Sequence, residues 1–381
     1  MSIAILHSGD MQKISLGGVD RYIKSLILFS EDNEITVFGT TAYKEHVIGE
    51  VYQREYCGKK YRFIPISDDR KHPLSVYYML NELKWVKELG EYDCIYAQRT
   101  EYSLPFIFSK NKRKLIEMIH GSSKYSEIGF GKKMAKIHLL MEKIAISIAR
   151  YTFVILNREE FGVPYYKIKY SKYANRVFYG KNPIDPHIYY KKDRITLRKE
   201  YRISAEEKIV IFSGRIENNP KRVLLLPQIC KYLMNNGIKI KFLVVGDGSD
   251  KKKLEDEVRK LNLENVFSFT GYIDDPHKIA DYNNIADIAI NISIFEGTCT
   301  SILESLACGI PVVSTDVGDI HECVSNGVNG YIIDNNDQTI VEEASNAINK
   351  LLNDKIEMNE VYKKYTGDQV MMELRGFINK L

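Results

Sequence analysis

The sequence predicts an α/β protein of two domains, each a parallel sheet covered by helices. Two observations carry this. Short apolar runs alternate with longer helical segments through both halves of the chain, the pattern of successive βαβ units. The length, 381 residues, suits two ordinary domains better than one. Apolar residues make up 44% of the chain and charged residues 27%, the balance of a globular protein with a packed core.

In chain order, the strand candidates of the first half are Ile3–Leu6, Ile35–Phe38, Arg62–Ile66, Cys94–Ala97, Leu115–Ile119 and Phe153–Leu156. Those of the second half are Ile209–Phe212, Phe242–Val245, Val266–Phe269, Ile288–Ile292, Pro311–Ser314 and Tyr331–Ile333. The boundary is expected near Asn182-Pro183-Ile184-Asp185, ahead of the polar, charged segment Lys191–Glu200. The last segment, Glu360–Leu381, reads as helical. No run of 18 apolar residues is present, so no transmembrane helix is expected. The first residues read as a buried strand and lack the features of a signal peptide. None of the six cysteines forms a C-x-x-C pair, and reduced thiols in a cytoplasmic protein are the plain expectation.

Charge is uneven. Residues 1–190 carry 29 Lys and Arg against 21 Asp and Glu, while residues 191–381 carry 25 against 29. A basic first half suits an anionic acceptor or an anionic membrane surface. No nucleic-acid motif accompanies it. Lys132, Lys136, Lys143 and Arg150 fall in one stripe of a helix, with Ile137, Met141, Ile144 and Ile148 opposite as its expected core face. Either a solvated surface helix or a membrane-surface helix fits that pattern. The basic and aromatic stretch Tyr165–Tyr173 adds to the second reading.

The chain is organised around Asn291–Gly330. A buried strand runs into a loop with Glu296 and Gly297, followed by Thr298, Thr300 and Ser301. Ile302, Leu303, Leu306 and Ala307 then show helical spacing, with Gly309 placed at C′ and Pro311 ending the helix. The loop lies beyond the carboxyl end of a strand, where ligands sit in open parallel sheets. Free N–H groups of a first helical turn beside small hydroxyl residues suit a phosphate. Glu296 and Glu304 are then left for sugar and ribose hydroxyls. The bland alternative is a capping cluster with two solvated glutamates. Arg215 and Lys221, six residues apart after the strand ending at Phe212, can aim two cations at one diphosphate. Gly17 and Gly18 precede a helix from about Asp20 and can approach a phosphate or simply form a loop. His120 follows a strand directly, facing ligand or capping the next helix.

The run E-G-T-C-T-S-I-L-E-S-L-A-C-G-I-P-V-V, with seven residues between its glutamates, resembles the signature of glycosyltransferase family 4. That resemblance implies the GT-B fold: two Rossmann-like domains facing a central cleft, here residues 1–185 and 186–359, with 360–381 crossing back to the first. It implies a retaining enzyme that transfers a hexose from a nucleotide sugar, UDP-sugar before GDP-sugar, to a hydroxyl of a glycan or lipid-linked acceptor, with front-face transfer. It places Glu296 at the donor sugar and Glu304 on the ribose, with Gly297, Thr298, Cys299, Thr300 and Ser301 lining the donor. Arg215 and Lys221 hold the diphosphate, and backbone groups of Tyr272 and Ile273 hold the base. Gly17 and Gly18 face the donor, and His120 lies close to sugar and acceptor. The catalytic set is therefore Glu296, His120, Arg215 and Lys221, and no metal or other cofactor is expected. Peripheral contact with the inner face of a membrane is implied as an option. The sequence departs from the family where Arg222 follows Lys221 in place of Gly, where Asp319 stands for a second Gly, and at Thr298-Cys299. A non-catalytic GT-B subunit and a nucleotide-sugar epimerase are the alternatives, and both fit the retained glutamates and cations less well. Capsule or exopolysaccharide synthesis in a bacterium is an association drawn from composition alone.

Overall fold

The computed structural model describes residues 1–10, 18–70, 73–121, 126–354 and 356–381, without the side chains of 126–132. The chain divides into two compact units. One comprises Met1–Pro183 with Gly367–Leu381, the other Ile184–Thr366.

The first unit is built on β1 (Ile3–Leu6), β2 (Ile35–Thr41), β3 (Tyr52–Tyr56), β4 (Lys59–Asp68), β5 (Cys94–Ala97), β6 (Leu115–Ile119), β7 (Tyr151–Val154) and β8 (Val177–Tyr179). They form one sheet in the order β3-β4-β2-β1-β5-β6-β7-β8. All neighbours are parallel except β3 and β4, a hairpin at the edge. Burial on both faces requires near-continuous apolar strands, and Ile3–Leu6 is buried at every position. Three helices matter here: α1 (Gly18–Leu28), α2 (Leu74–Glu82) and α3 (Ser126–Ile148). The C-terminal helix Gly367–Ile378 packs in this unit. It places Val370, Met371, Leu374 and Ile378 in the core, and Arg375 pairs with Glu34 at 2.7 Å.

The second unit carries β9 (Ile209–Ser213), β10 (Lys241–Val245), β11 (Phe267–Gly271), β12 (Ile288–Asn291), β13 (Val312–Thr315) and β14 (Gly330–Ile333). The order is β11-β10-β9-β12-β13-β14, wholly parallel. Read by chain position this is 3-2-1-4-5-6, the doubly wound order, with its switch point between β9 and β12. The first unit repeats the scheme, with its switch point between β1 and β5. Strand order thus singles out the loops after β1, β5, β9 and β12.

One expectation fails in large part. Of the expected core face of α3, Ile148 packs against a core cluster, but Met141 and Ile144 are only half-buried. Ala135, Glu142, Ala145 and Ile146 are buried instead, and Ile137 is 49% exposed. Small alanines let this helix approach the short 3-10 helix Thr100–Phe106 closely, which apolar size alone does not reveal. The stretch Tyr165–Tyr173 keeps Lys167, Ile168 and Lys172 exposed. It forms α4 (Val163–Lys169) and the turn after it, closed on the buried carboxylate of Glu142. Glu142 accepts from Tyr166 Oη at 3.0 Å, Lys169 Nζ at 3.0 Å and Tyr170 Oη at 2.5 Å. Lys136, Lys143 and Arg150 are exposed; the Lys132 side chain lies outside the described residues. Among the described residues no helix is long and apolar enough to cross a membrane.

Candidate functional site

The switch point of the second unit gathers most of the singled-out residues. β9 ends at Ser213 and leads to Gly214 and Arg215; β12 ends at Asn291 and leads to the Glu296 loop. Lys221 reaches across to form an ion pair with Glu296, both side chains mostly buried. The Ser293 hydroxyl lies 2.7 Å from Glu296 Oε1 and 2.7 Å from Asn291 Oδ1. Asn291 in turn donates to Ser314 Oγ at 3.1 Å, and Thr315 Oγ1 donates to the Ser293 carbonyl at 2.7 Å. Glu296 is therefore held by a cation and a hydroxyl that β12 and β13 fix in place.

Arg222 explains why the position after Lys221 favours glycine. Its φ is +49°, in the left-handed region that costs an ordinary residue roughly 1–2 kcal/mol. The side chain offsets this with several bonds. Arg222 donates to the carbonyls of Ile292 (3.3 Å) and Ser293 (3.2 Å) and to Asn335 Oδ1 (2.6 Å), and pairs with Asp337 at 2.6 Å. The two adjacent cations thus divide their work: Arg222 is fixed to the backbone of the Glu296 loop, and Lys221 faces the carboxylate. Arg215 is half exposed and pairs with Glu217 at 3.2 Å.

Two glycines are required by close approach. A Cβ on Gly246 (φ +136°) would lie 1.9 Å from the Gly214 carbonyl oxygen, so the loops after β9 and β10 touch. A Cβ on Gly318 (φ +49°) would lie 1.9 Å from the Gly297 oxygen, which seats the Glu296 loop on the turn after β13. Asp319, where the resembling family has glycine, is buried beside it.

The helix Thr300–Ala307 begins as the spacing requires. It ends at Gly309 (φ +75°) with Ile310 N–H on the Ser305 carbonyl and Gly309 N–H on that of Leu306, a Schellman motif. Thr298 and Glu304 are nearly buried, while Thr300 and Ser301 are half-buried at the helix start. Cys299 is buried, and burial with the nearby Glu296 carboxylate pushes its thiol well up, so it stays protonated. Tyr272 and Ile273 follow β11; Tyr272 is 40% exposed and its hydroxyl donates to Asp274 at 3.0 Å. Among the described residues no group of three or more His, Cys, Asp or Glu is arranged to hold a metal ion.

In the first unit, Gly18 opens α1, while Gly17 lies outside the described residues. His120 follows β6, its Nε2 2.8 Å from Gln98 Oε1 after β5, with Tyr22 edge-on at 5.3 Å. Burial, then repulsion from His7 and Arg99, lowers its pKa to about 3. A neutral imidazole this hard to protonate orients a hydroxyl better than it takes a proton at neutral pH. The sequence reading missed Gln98 and Ser293, and it noted Arg222 only as a departure from the family. Gln98 stands one residue and Ser293 two residues past a strand end, which was the available signal.

Residues 193–369 match the model of the glycosyl transferases group 1 family. The N-acetyl-alpha-D-glucosaminyl L-malate synthase of Bacillus anthracis is 30% identical over 199 residues, half of each chain. The lipopolysaccharide 1,2-N-acetylglucosaminetransferase of Salmonella typhimurium is 27% identical over 196 residues, 49% of this chain and 47% of that one. The chain thus spans about half the length of these curated relatives. Among solved structures, sucrose-phosphate synthase from Thermosynechococcus elongatus superposes with a TM-score of 0.77 at 17% identity, covering 100% of this chain and 99% of that one. HepE of Anabaena, solved with UDP and glucose, gives 0.72 at 17% identity over 100% of both. These likenesses extend the fold beyond the matched half. Residues 193–369 are thus similar to the glycosyl transferases group 1, and the chain as a whole has the GT-B fold.

Proposed function

We propose that the protein is a retaining glycosyltransferase that moves a hexose from a nucleotide sugar, a UDP-sugar first, to a hydroxyl of a glycan or lipid-linked acceptor. The observation that carries this is the Lys221–Glu296 pair, set at the switch point beside Arg215 and the start of the helix Thr300–Ala307. The names of the relatives support it: several are N-acetylglucosaminyl transferases, and HepE was solved with UDP and UDP-glucose.

In this reading the donor diphosphate lies against Arg215, Lys221 and the first N–H groups of the helix, which stabilise the charge growing as it leaves. Lys221 then bridges phosphate and Glu296, so that Glu296 is aimed at the sugar hydroxyls. Glu304 holds the ribose, and the backbone at Tyr272 and Ile273 holds the base. The bond from the anomeric carbon to the phosphate oxygen breaks as the acceptor oxygen bonds to the same face. The acceptor's proton passes to the departing phosphate oxygen. Exposed Lys136, Lys143 and Arg150 support contact with an anionic membrane face.

A panel of UDP-, GDP- and ADP-sugars read by thermal shift tests the donor reading, because a ligand that binds only the folded state raises its stability. One UDP-sugar should raise the melting temperature, and proton NMR of slow donor turnover should show the released sugar first as the donor's own anomer. The absence of any shift in folded protein, or an inverted anomer, contradicts the proposal.

A further inference from the structure

The first unit contains a cavity of about 600 Å³ of which the functional assignments above use only His120. Its walls come from α2 (Val76, Met79) and α3 (Met134, Ile137, Met141), with Met118 and Ile119 of β6. The polar residues at its other side follow strand ends: Gln98 and Arg99 after β5, His120 after β6. The cavity is therefore amphiphilic, with polar groups at the carboxyl ends of the strands and mostly apolar side chains on the two helices, which also add Ser75, His138 and Glu142.

Three features bear on what fills it. First, Gln98 is 1% exposed, its Oε1 is engaged by His120, and its Nε2 has no partner among the described residues. A buried amide donor left unpaired costs about 1–3 kcal/mol, so an oxygen supplied by a ligand is favoured there. Second, four of the lining residues are methionines, whose flexible thioethers adapt to a chain of variable conformation. Third, the apolar surface continues outward. Val76, Leu80 and Leu83 form one stripe at 44%, 51% and 53% exposure, and Met134 and Ile137 another at 55% and 49%. The basic stripe of Lys136 and Lys143 lies on the other flank of α3, so attraction to a charged membrane surface does not account for this cavity.

We infer that this cavity binds the hydrocarbon chain of an amphiphilic acceptor, with the acceptor's hydroxyl-bearing head at Gln98 and His120 and the chain between α2 and α3. The inference rests on the glycosyl-transfer reading and narrows its acceptor to the lipid-linked class. Hydroxyls of the head satisfy the free Gln98 amide and meet a neutral His120. The chain leaves water along the methionine wall.

The test is calorimetric binding of hexyl, heptyl, octyl and nonyl β-D-glucosides to the full chain, each below its micelle concentration. Affinity should rise roughly fourfold per added methylene until the cavity is filled. The half-exposed substitutions Met134→Gln and Ile137→Gln, together in one variant with an unchanged melting temperature, should weaken octyl glucoside at least tenfold. Affinity independent of chain length overturns the inference. So does an equal gain with chain length in the variant, which marks non-specific adsorption, and so does association with phosphatidylglycerol vesicles in place of single-chain binding. A UDP-sugar thermal shift on the same samples separates the two proposals. A donor shift without chain-length dependence sinks only the cavity assignment. Chain-length dependence without a donor shift overturns the donor reading and, with it, the assignment of the bound chain to an acceptor.

Discussion

At the residue scale, Arg222 shows how a departure from a family pattern is accommodated. Its left-handed backbone is strained, and its guanidinium holds the carbonyls of Ile292 and Ser293. Arg222→Gly relieves the backbone but removes those bonds. A net loss of about 1–3 kcal/mol in urea unfolding is expected, because hydrogen bonds from a charged donor outweigh the relief. Equal or greater stability would show that the side chain contributes nothing. Glu117 gives a second residue-scale prediction. It is fully buried on β6, Ser103 donates to it, and burial pushes its pKa up to about 8. Between about pH 4.5 and about 8 the folded chain keeps a proton that the unfolded chain has released. Stability from this group therefore falls as pH rises through that window. In Glu117→Gln the melting temperature should fall less from pH 5 to pH 8 than in the wild type. An unchanged slope would contradict the assignment.

At the scale of elements, the close contact of Gly318 with Gly297 ties the turn after β13 to the Glu296 loop. Gly318→Ala should cost on the order of 1–3 kcal/mol and weaken nucleotide binding more than it disturbs the fold. Calorimetry alongside circular dichroism checks this, and intact nucleotide binding would contradict it. The elements also show what was legible in the sequence. All twelve expected strands are present with ends shifted by a few residues, because buried parallel strands are continuous apolar runs. The two unexpected strands lack that signal: Tyr52–Tyr56 alternates with polar residues in an edge hairpin, and Val177–Tyr179 is only three residues long. The helix Thr300–Ala307 was legible to its cap, since Gly309 and Pro311 are local signals. The buried face of α3 was not, because it packs through alanines, Glu142 and Ile146 while Met134, Ile137 and Leu140 are exposed. Which apolar stripe is buried depends on the partner surface, and the partner residues are remote in sequence.

At the scale of the whole molecule, the first unit is completed by the end of the chain. Helix Gly367–Ile378 contributes Val370, Met371, Leu374 and Ile378 to its core, and the Phe377 ring meets Tyr151 and Phe153 edge-on and Phe178 at a tilt. Truncation after Thr366 should expose that core and sharply lower the yield of soluble protein, since losing several buried side chains costs about 2–5 kcal/mol each. A truncated chain that melts like the full one would contradict this packing. The central claim is that the second unit holds a nucleotide diphosphate on Lys221 with its ribose on Glu304. Isothermal titration of UDP into the full chain, into Lys221→Ala and into Glu304→Ala tests it most directly. The account predicts one site in the wild type, weakened roughly ten- to a hundredfold in each variant, as expected for losing a hydrogen bond to a charged group. No binding of UDP to the folded wild type, or equal affinity in all three proteins, would contradict it.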